Sequence, residues 1–404
     1  MKLKRAFGNH IKITSSVGIG LTLLIFLFSL GACHRQDAPA IHFASNSDAP
    51  AANSGPINST TGAVVSYADV VSRVAPAVVT IHSQMRVRAP QQYPFMDDPL
   101  FHQFFGDRGI PQQPPVAQHR EALGSGVIVS TDGFILTNHH VVDGADQIKV
   151  DLNDNRTLDA KVVGSDVLSD LAVLKIDASN LPVLPLGDSD KVRVGDVVLA
   201  IGNPLGIGQT VTMGIVSAKS RQTGLSNGSF EDFLQTDAPI NQGNSGGALV
   251  STNSELIGIN SQILSPSGGS IGIGFAVPSN MARTVMEQLA KGGKVRRGQL
   301  GIIVQKVTSE VASSLKLKEP KGVVVAQVQP GSAAERAGIR KGDVVTTFNG
   351  VAVNDPNSFR NQVASTPPGT EVTISILRDG REQQVRATLG EFTPPEPRPA
   401  DSGQ

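Results

Sequence analysis

Ser245 stands between Gly243-Asn244 and Gly246-Gly247, and a serine hydroxyl set among glycines is a candidate nucleophile. Such a hydroxyl attacks a carbonyl only when a base takes its proton. Glycines on either side let the chain turn tightly and aim backbone N–H groups at a developing oxyanion. Upstream lie Asn138-His139-His140 and Ser169-Asp170-Leu171. An imidazole supplies the base, and a carboxylate holds it in one tautomer. Glycine–serine turns are common, so the Ser245 stretch alone carries little. The three stretches together, in the order His…Asp…Ser, predict an activated serine of the kind that cleaves peptide bonds. On residue chemistry alone His139 and His140 are equal candidates for the base.

The elements that must position these groups read as short strands. Gly126-Val127-Ile128-Val129, Phe134-Ile135-Leu136-Thr137, Leu171 to Ile176 and Val197 to Ile201 are β-branched or apolar runs. Turn residues such as Asp132-Gly133 separate them, as in an antiparallel barrel or sandwich. Tyr67 to Val74 reads as a short amphipathic helix stopped by Pro76, with strand character from Val78 to Ile81. Ser279 to Lys291 is the clearest helix: Met281, Val285, Met286 and Leu289 recur at helical spacing, and Gly292-Gly293 ends it. A second unit from 296 to 392 repeats the strand-and-turn habit, with one short helix near Ser332 to Ala337 stopped by Gly338. Residues 393–404 form a Pro-rich tail unsuited to helix or sheet.

The chain has 404 residues, enough for two domains and tails. With 39% hydrophobic and 17% charged residues it can bury cores. Lys+Arg and Asp+Glu both total 35, so no electrostatic surplus supports nucleic-acid binding. The eight histidines are scattered without a helical pair or a cysteine partner, so neither a metal site nor a cofactor is expected.

Residues 1–32 stand apart. Lys2, Lys4, Arg5 and Lys12 precede the uncharged, mostly apolar Val17 to Ala32, which falls short of the roughly 20 residues of a spanning helix. That pattern is an export signal. It ends Leu30-Gly31-Ala32-Cys33, and Cys33 is the only cysteine. The ending resembles a lipobox, which makes Cys33 the expected lipid-attachment residue and the membrane a partner. An uncleaved anchor and ordinary signal cleavage are the alternatives. Residues 33–63, rich in Ala, Ser, Asn and Pro, read as a flexible tether.

Several longer runs carry a family resemblance. They are Leu123-Gly124-Ser125-Gly126-Val127-Ile128, Thr137 to Val142, Ser169 to Ile176, Ala200-Ile201-Gly202-Asn203-Pro204, Gln235 to Asn241 leading into Gly243 to Gly247, and Gly274-Phe275-Ala276-Val277-Pro278. Together they resemble the HtrA family, in its bacterial DegP/DegQ/DegS group of export-compartment serine proteases, over roughly residues 64–392. The resemblance implies a mainly β protein: a trypsin-like double β-barrel over 64–293, then one PDZ domain (α+β) over 296–392. It selects His140 as base, Asp170 as orienting carboxylate and Ser245 as nucleophile. The N–H groups of Gly243 and Ser245 become the oxyanion hole, at about 3 kcal/mol each.

No acidic residue lies in Ala238 to Ser245, so small or branched apolar side chains are expected before the cut bond. Ile240, Asn241, Asn260, Ile273 and Phe275 are expected at that pocket. Asn244 stands where digestive relatives of this fold carry an Asp that pairs with a freshly cut N-terminus, so activation by cleavage is not expected. The family instead switches its catalytic loops between arrangements, which the Gly-rich segments 202–208 and 261–274 would suit.

In the second unit, Arg297-Gly298-Gln299-Leu300-Gly301-Ile302 matches the loop that receives a peptide C-terminal carboxylate while the peptide adds as a strand. The runs Pro330 to Ile339 and Lys341 to Val345 are its other signatures. The resemblance also implies a homotrimer with Tyr67 near the contact. DegP and DegQ carry two PDZ domains and this chain one, as in DegS, while the Phe-containing segment 99–106 looks more like DegQ. Two roles follow: a quality-control endopeptidase for unfolded exported proteins, or a regulatory protease that senses exposed C-termini and cuts one membrane-bound target. A chaperone or scaffold is the third reading, and the complete set of Ser, His and Asp speaks against it.

Overall fold

The computed structural model describes residues 66–87, 118–203, 208–224, 229–263, 269–314, 317 and 319–394. The expected signal, Cys33, the tether, the segment 99–106 and most of the tail lie outside the described residues. Among the described residues no helix is long and apolar enough to cross a membrane.

The chain opens with α1 (Ala68–Val74) and a single turn of 3₁₀ helix around Pro76. The first barrel comprises β1 (Val78–Val87), β2 (Gln118–Ile128), β3 (Phe134–Thr137), β4 (Gln147–Asp151), β5 (Thr157–Asp166) and β6 (Leu171–Ile176). It closes in the order β1-β2-β3-β6-β5-β4. The second comprises β7 (Val197–Gly202), β8 (Thr210–Arg221), β9 (Phe233–Thr236), β10 (Ala248–Ser251), β11 (Leu256–Ile263) and β12 (Gly274–Pro278). It closes in the order β10-β11-β12-β9-β8-β7. Closure removes the unpaired edges that an open sheet would expose.

Strand periodicity explains why these runs are apolar on both faces. In β6, Ala172, Leu174 and Ile176 join Val79, Ile81, Ile128 and Ile135 in one core, while Leu171 and Val173 join Leu199, Ile201, Val250 and Ile259 in another. Strand neighbours point to opposite faces, so the first set fills the barrel and the second fills the seam between barrels. In β7, likewise, Val198 and Ala200 face the second barrel's interior while Leu199 and Ile201 face the seam.

Helix α3 (Ser279–Gly292) follows β12, the strand from the second barrel, and buries Val285, Met286 and Leu289 on the seam core. Each such side chain stabilises by roughly 1.5–3 kcal/mol. Its end is set by Gly293 at φ 68°, whose N–H bonds Leu289 O, a left-handed stop that glycine takes without a Cβ penalty.

Beyond Arg296 a separate sheet runs β14 (Ile302–Lys306), β15 (Val323–Val328), β16 (Val344–Phe348), β18 (Glu371–Arg378) and β19 (Arg381–Thr388), with β17 (Val351–Ala352) paired to β16. β13 (Gly298–Gln299) pairs with β20 (Gly390–Glu391), tying the unit's two ends together. Of its helices only α5 (Ala333–Arg336), capped by Ser332, was expected. The structure adds α4 (Ser309–Ser314) and the longer α6 (Pro356–Ser365). The start of α6 follows from local chemistry: the Asp355 carboxylate accepts from the N–H groups of Asn357 and Ser358, and Pro356 occupies the first turn.

The two parts meet through a buried polar contact. The Arg297 guanidinium donates to both Asp166 oxygens at 2.8 and 2.5 Å, and lies 4.8 Å from the Phe230 ring centroid. Arg360 covers the same ring at 4.3 Å, and Phe392 meets it edge-on at 5.2 Å. From α6, the amides of Asn357 and Asn361 both donate to Glu231 O. The side chain of Arg297, expected in the carboxylate loop, is spent on this junction: the residue is 7% exposed. Arg297→Ala is expected to cost about 3–5 kcal/mol, the usual penalty for stranding a buried charge. Adding Asp166→Asn should return part of that loss. Denaturant unfolding of both variants reads it, and equal loss in the single and double variants would contradict the ion-pair account.

Candidate active site

Asp170 ends the 3₁₀ turn Val167–Ser169, and it does so at φ 52°. That left-handed conformation is uncommon outside glycine, Asn and Asp. It is held by what converges on the side chain. Nδ1 of His140 lies 2.9 Å from both carboxylate oxygens, and the His140 backbone N–H donates to Oδ1 at 3.1 Å. The Ser261 hydroxyl donates to Oδ2 at 2.7 Å, and the Asn138 side chain donates to the Asp170 carbonyl at 2.9 Å. His140 sits on α2 (His139–Val142), the short turn that follows β3, and Val141 and Val142 anchor that turn in the first barrel's core.

An ionised carboxylate only accepts hydrogen bonds, so Nδ1 carries the proton and the basic lone pair of the neutral ring is on Nε2. Burial opposes charge on the ring, yet the charge and hydrogen bond of Asp170 and the charge of Asp143 outweigh it. The His140 pKa accordingly stands above its ordinary 6.5. Burial likewise opposes ionisation of Asp170, and the charge and hydrogen bonds of His140, with the Ser261 bond, reverse that and hold its pKa below the ordinary value. His139 takes no part in this contact; its Nε2 faces Asp143 at 3.7 Å.

Ser245 comes from the turn before β10. Its hydroxyl donates to the Ser261 carbonyl at 3.1 Å. Ser261 thus touches Asp170 through its side chain and Ser245 through its backbone. The sequence reading missed this residue, whose contacts lie with segments far away along the chain.

The turn itself is tightly specified. Gly243 has φ 94° and Gly246 φ 81°. A Cβ on Gly246 would lie 2.1 Å from Ser125 O and 2.3 Å from Thr137 Oγ1, so only glycine lets this turn rest against the first barrel. The Gly247 N–H bonds Asn244 O at 2.9 Å. In a trans peptide the carbonyl and N–H point oppositely, so the Ser245 N–H is directed away from that bond. The Asn244 side chain is 1% exposed.

The expected pocket residues divide. Ile240 is fully buried and packs against Gly274, where a Cβ would lie 2.9 Å from Ile240 Cδ1. Asn241 is exposed, with Oδ1 accepting from Ser270 N–H and its carbonyl from Asn244 N–H. Ile273 is half-buried against the seam core. Phe275 belongs to that core, tilted against Phe233 at 5.8 Å, because its β12 position points inward. Asn260 is fully buried: its amide donates to Ala248 O and its carbonyl accepts from Gly246 N–H. Phe275 is thus held in the core and Asn260 is fixed to the turn and to β10.

In the second unit, Gly298 and Gln299 lie in β13, and Leu300 is buried with its carbonyl taken by Ala334 N–H. Gly301 turns at φ 78° against Ser332, and its carbonyl accepts from Gln329 N–H. Ile302 opens β14, the terminal strand of its sheet. A terminal strand can accept a further strand by backbone pairing.

Two family models match the chain: a trypsin-like peptidase domain over residues 124–259 and a PDZ domain over 269–389. Over 330 residues the chain is 47% identical to the periplasmic pH-dependent serine endoprotease DegQ of Escherichia coli, covering 81% of this chain and 71% of that one. Over 347 residues it is 45% identical to the periplasmic serine endoprotease DegP of the same organism, covering 80% and 72%. The solved HtrA-type protease AlgW with decapeptide is 50% identical, with a TM-score of 0.63, covering 82% of this chain and all of that one. The double barrel, the clustered Ser, His and Asp, and these likenesses agree: the chain belongs to the HtrA family of serine endopeptidases, with a trypsin-like peptidase domain and a PDZ domain.

Proposed function

We propose that this endopeptidase works through Ser245, His140 and Asp170 as an ATP-independent protease for unfolded or damaged exported proteins, and that its PDZ domain regulates it. The observation that carries the triad is the double role of Ser261, which joins the carboxylate beneath His140 to the hydroxyl of Ser245. Ser245 Oγ turns from Ser261 O toward His140 Nε2, loses its proton there and attacks the scissile carbonyl. Asp170 keeps the ring in the Nδ1–H tautomer and stabilises the imidazolium. The N–H groups of Gly243 and Ser245 receive the oxyanion. His140 then gives the proton to the departing amine, and water repeats the sequence on the acyl-enzyme.

Selection for small or branched apolar residues is supported by the buried Ile240 and by the absence of acidic residues in Ala238 to Ser245. Regulation is supported by the terminal strand β14 together with α6, whose asparagines bond the peptidase domain directly. The alternative, a protease silent until a C-terminus docks on β14, is favoured by one observation: AlgW, 50% identical to this chain, is a relative solved with bound peptides.

Casein digestion by wild type and Ser245→Ala, with and without a peptide bearing a free apolar C-terminus, tests this reading. Digestion that needs no peptide supports quality control; digestion only with peptide supports the regulatory role. Equal digestion by Ser245→Ala would overturn the mechanism.

The raised His140 pKa gives a second expectation. The ring must be neutral to act as base, so kcat/KM should rise with pH through an inflection above 6.5. Asp170→Asn should lower kcat by about 10⁴, as loss of the orienting carboxylate does in such triads. It should also drop the His140 pKa, since burial then acts unopposed by that charge. NMR titration of the ring reads the shift, and a wild-type inflection below 6.5 would contradict it.

A lipid anchor at Cys33 and a homotrimer with Tyr67 near its contact complete the proposal. Tyr67 is half-buried against the seam core, which supports a fixed presentation of its outer face. Cys33→Ala is expected to move the protein from the membrane to the soluble fraction with its trimeric mass unchanged by light scattering; retention on the membrane would favour an uncleaved anchor.

A further inference from the structure

Ser125, near the end of β2 in the first barrel, is wholly buried and has no step of its own in the mechanism above. Every polar atom it has is nevertheless spent on the nucleophile turn or its neighbours. Its hydroxyl donates to Gly243 O at 2.6 Å and accepts from the Asn203 N–H at 2.9 Å. Its own N–H donates to Ser245 O at 2.8 Å. Its carbonyl accepts from Thr137 Oγ1 at 2.7 Å. The direction of the hydroxyl bond is unambiguous, because a carbonyl cannot donate and the Asn203 N–H cannot accept.

One residue therefore grips the carbonyls of both Gly243 and Ser245. The bonds along the turn show what this grip does. The Gly243–Asn244 peptide is held at both ends, its C=O by Ser125 Oγ and its N–H by Asn241 O at 3.0 Å. The Ser245–Gly246 peptide is held likewise, its C=O by the Ser125 N–H and its N–H by Asn260 O at 2.8 Å. Between them the Asn244–Ser245 peptide is fixed through its carbonyl by Gly247 N–H. Gly243, at φ 94°, has no side chain to restrict its torsions. The Ser125 hydroxyl is the bond that crosses from the other barrel to restrict them.

We propose that Ser125 is a positioning residue for the oxyanion hole: its hydroxyl sets the orientation of Gly243 and so the direction of the two N–H groups that receive the developing charge. This rests on the reading of Gly243 and Ser245 as the oxyanion donors. Asn203 is the outer part of the same device. Its N–H orients the Ser125 hydroxyl, and its side chain is itself held, Nδ2 by Thr80 Oγ1 at 2.5 Å and Oδ1 by Gly208 N–H at 3.0 Å.

The test is Ser125→Ala, assayed on a chromogenic peptide and against two inhibitors of the same sequence: a peptide aldehyde, whose adduct with Ser245 carries the oxyanion, and the free product peptide, which does not. Removing a whole oxyanion donor costs about 10²–10³ in kcat, and Ser125→Ala keeps both donors but loosens them, so a loss of about tenfold or more is expected. KM should stay within about twofold by the same reasoning, since ground-state contacts are untouched. Aldehyde affinity should fall in step with kcat while product-peptide affinity holds. A kcat within about twofold of wild type, or equal weakening of both inhibitors, would overturn the proposal. If the alanine variant does not fold, Ser125→Cys, similar in size with a weaker donor, is read in the same way. Ser245→Ala runs beside it: full activity there would remove the nucleophile reading itself, whereas an inactive Ser245→Ala with a fast Ser125→Ala removes only this inference.

Discussion

The carboxylate of Asp170 is the constraint on which the site depends. It lies where the two barrels meet, and burial alone would favour its neutral form. Its charge is kept by donors from both sides: the ring and backbone of His140 from the first barrel, the hydroxyl of Ser261 from the second. A partly buried charge missing one partner leaves the others in an unfavourable environment, so these groups hold or fail as a set. The same bonds that stabilise the charge fix the ring tautomer and bring β11 against the β5–β6 connection. The geometry around Asp170 and the docking of the barrels are thus one set of contacts.

Around the Ser245 turn the packing is nearly backbone on backbone, within the second barrel as well as across to the first. A Cβ on Gly247 would lie 2.2 Å from Ile201 O, and one on Gly202 would lie 2.6 Å from Asn244 Oδ1. Glycine at these positions is required by the approach of the chains. Close approach in turn lets carbonyl and N–H groups of one barrel serve the turn of the other, as Ser125 N–H serves Ser245 O. Rigid presentation of Ser245 follows from this packing, since a loop with its peptides bonded at both ends has few alternative torsions.

Much of the scaffold was legible in the sequence where local pattern and burial agree. Phe134–Thr137 and Leu171–Ile176 are strands over their whole expected lengths because each apolar run is buried on both faces. Helix α3 was legible because its apolar stripe has helical spacing and its end carries a left-handed glycine. Helix α6 was overlooked despite Asp355-Pro356, since its apolar face is short and three of its residues are asparagine or glutamine. The roles of Ser261, Arg297, Phe275 and Asn260 depend on contacts between distant segments. Ser261 and Asp170 are 91 residues apart, and Arg297 and Asp166 are 131 apart. No local periodicity encodes such pairings. An arginine beside a peptide-binding loop has the same sequence signature whether it faces the ligand or the neighbouring domain.

The placement of Arg297 changes how the two domains are to be understood. The Asp166 carboxylate that it grips also accepts from the N–H and hydroxyl of Ser169, capping the 3₁₀ turn that delivers Asp170. Phe230, beneath the same guanidinium, donates its N–H to Leu168 O in that turn. On the other flank, α6 bonds Glu231 O, the Glu231 carboxylate accepts from Thr223, and Thr223 Oγ1 accepts from Gln262, the neighbour of Ser261. Asp170 and its partner Ser261 are therefore reached from the PDZ unit through short runs of bonded groups, one through the turn before Asp170 and one through the strand that carries Ser261. Arg297 and α6 are thus tied by continuous hydrogen bonds to the groups that hold the Asp170 carboxylate, and the stability of that carboxylate's surroundings depends in part on a residue and a helix of the other domain.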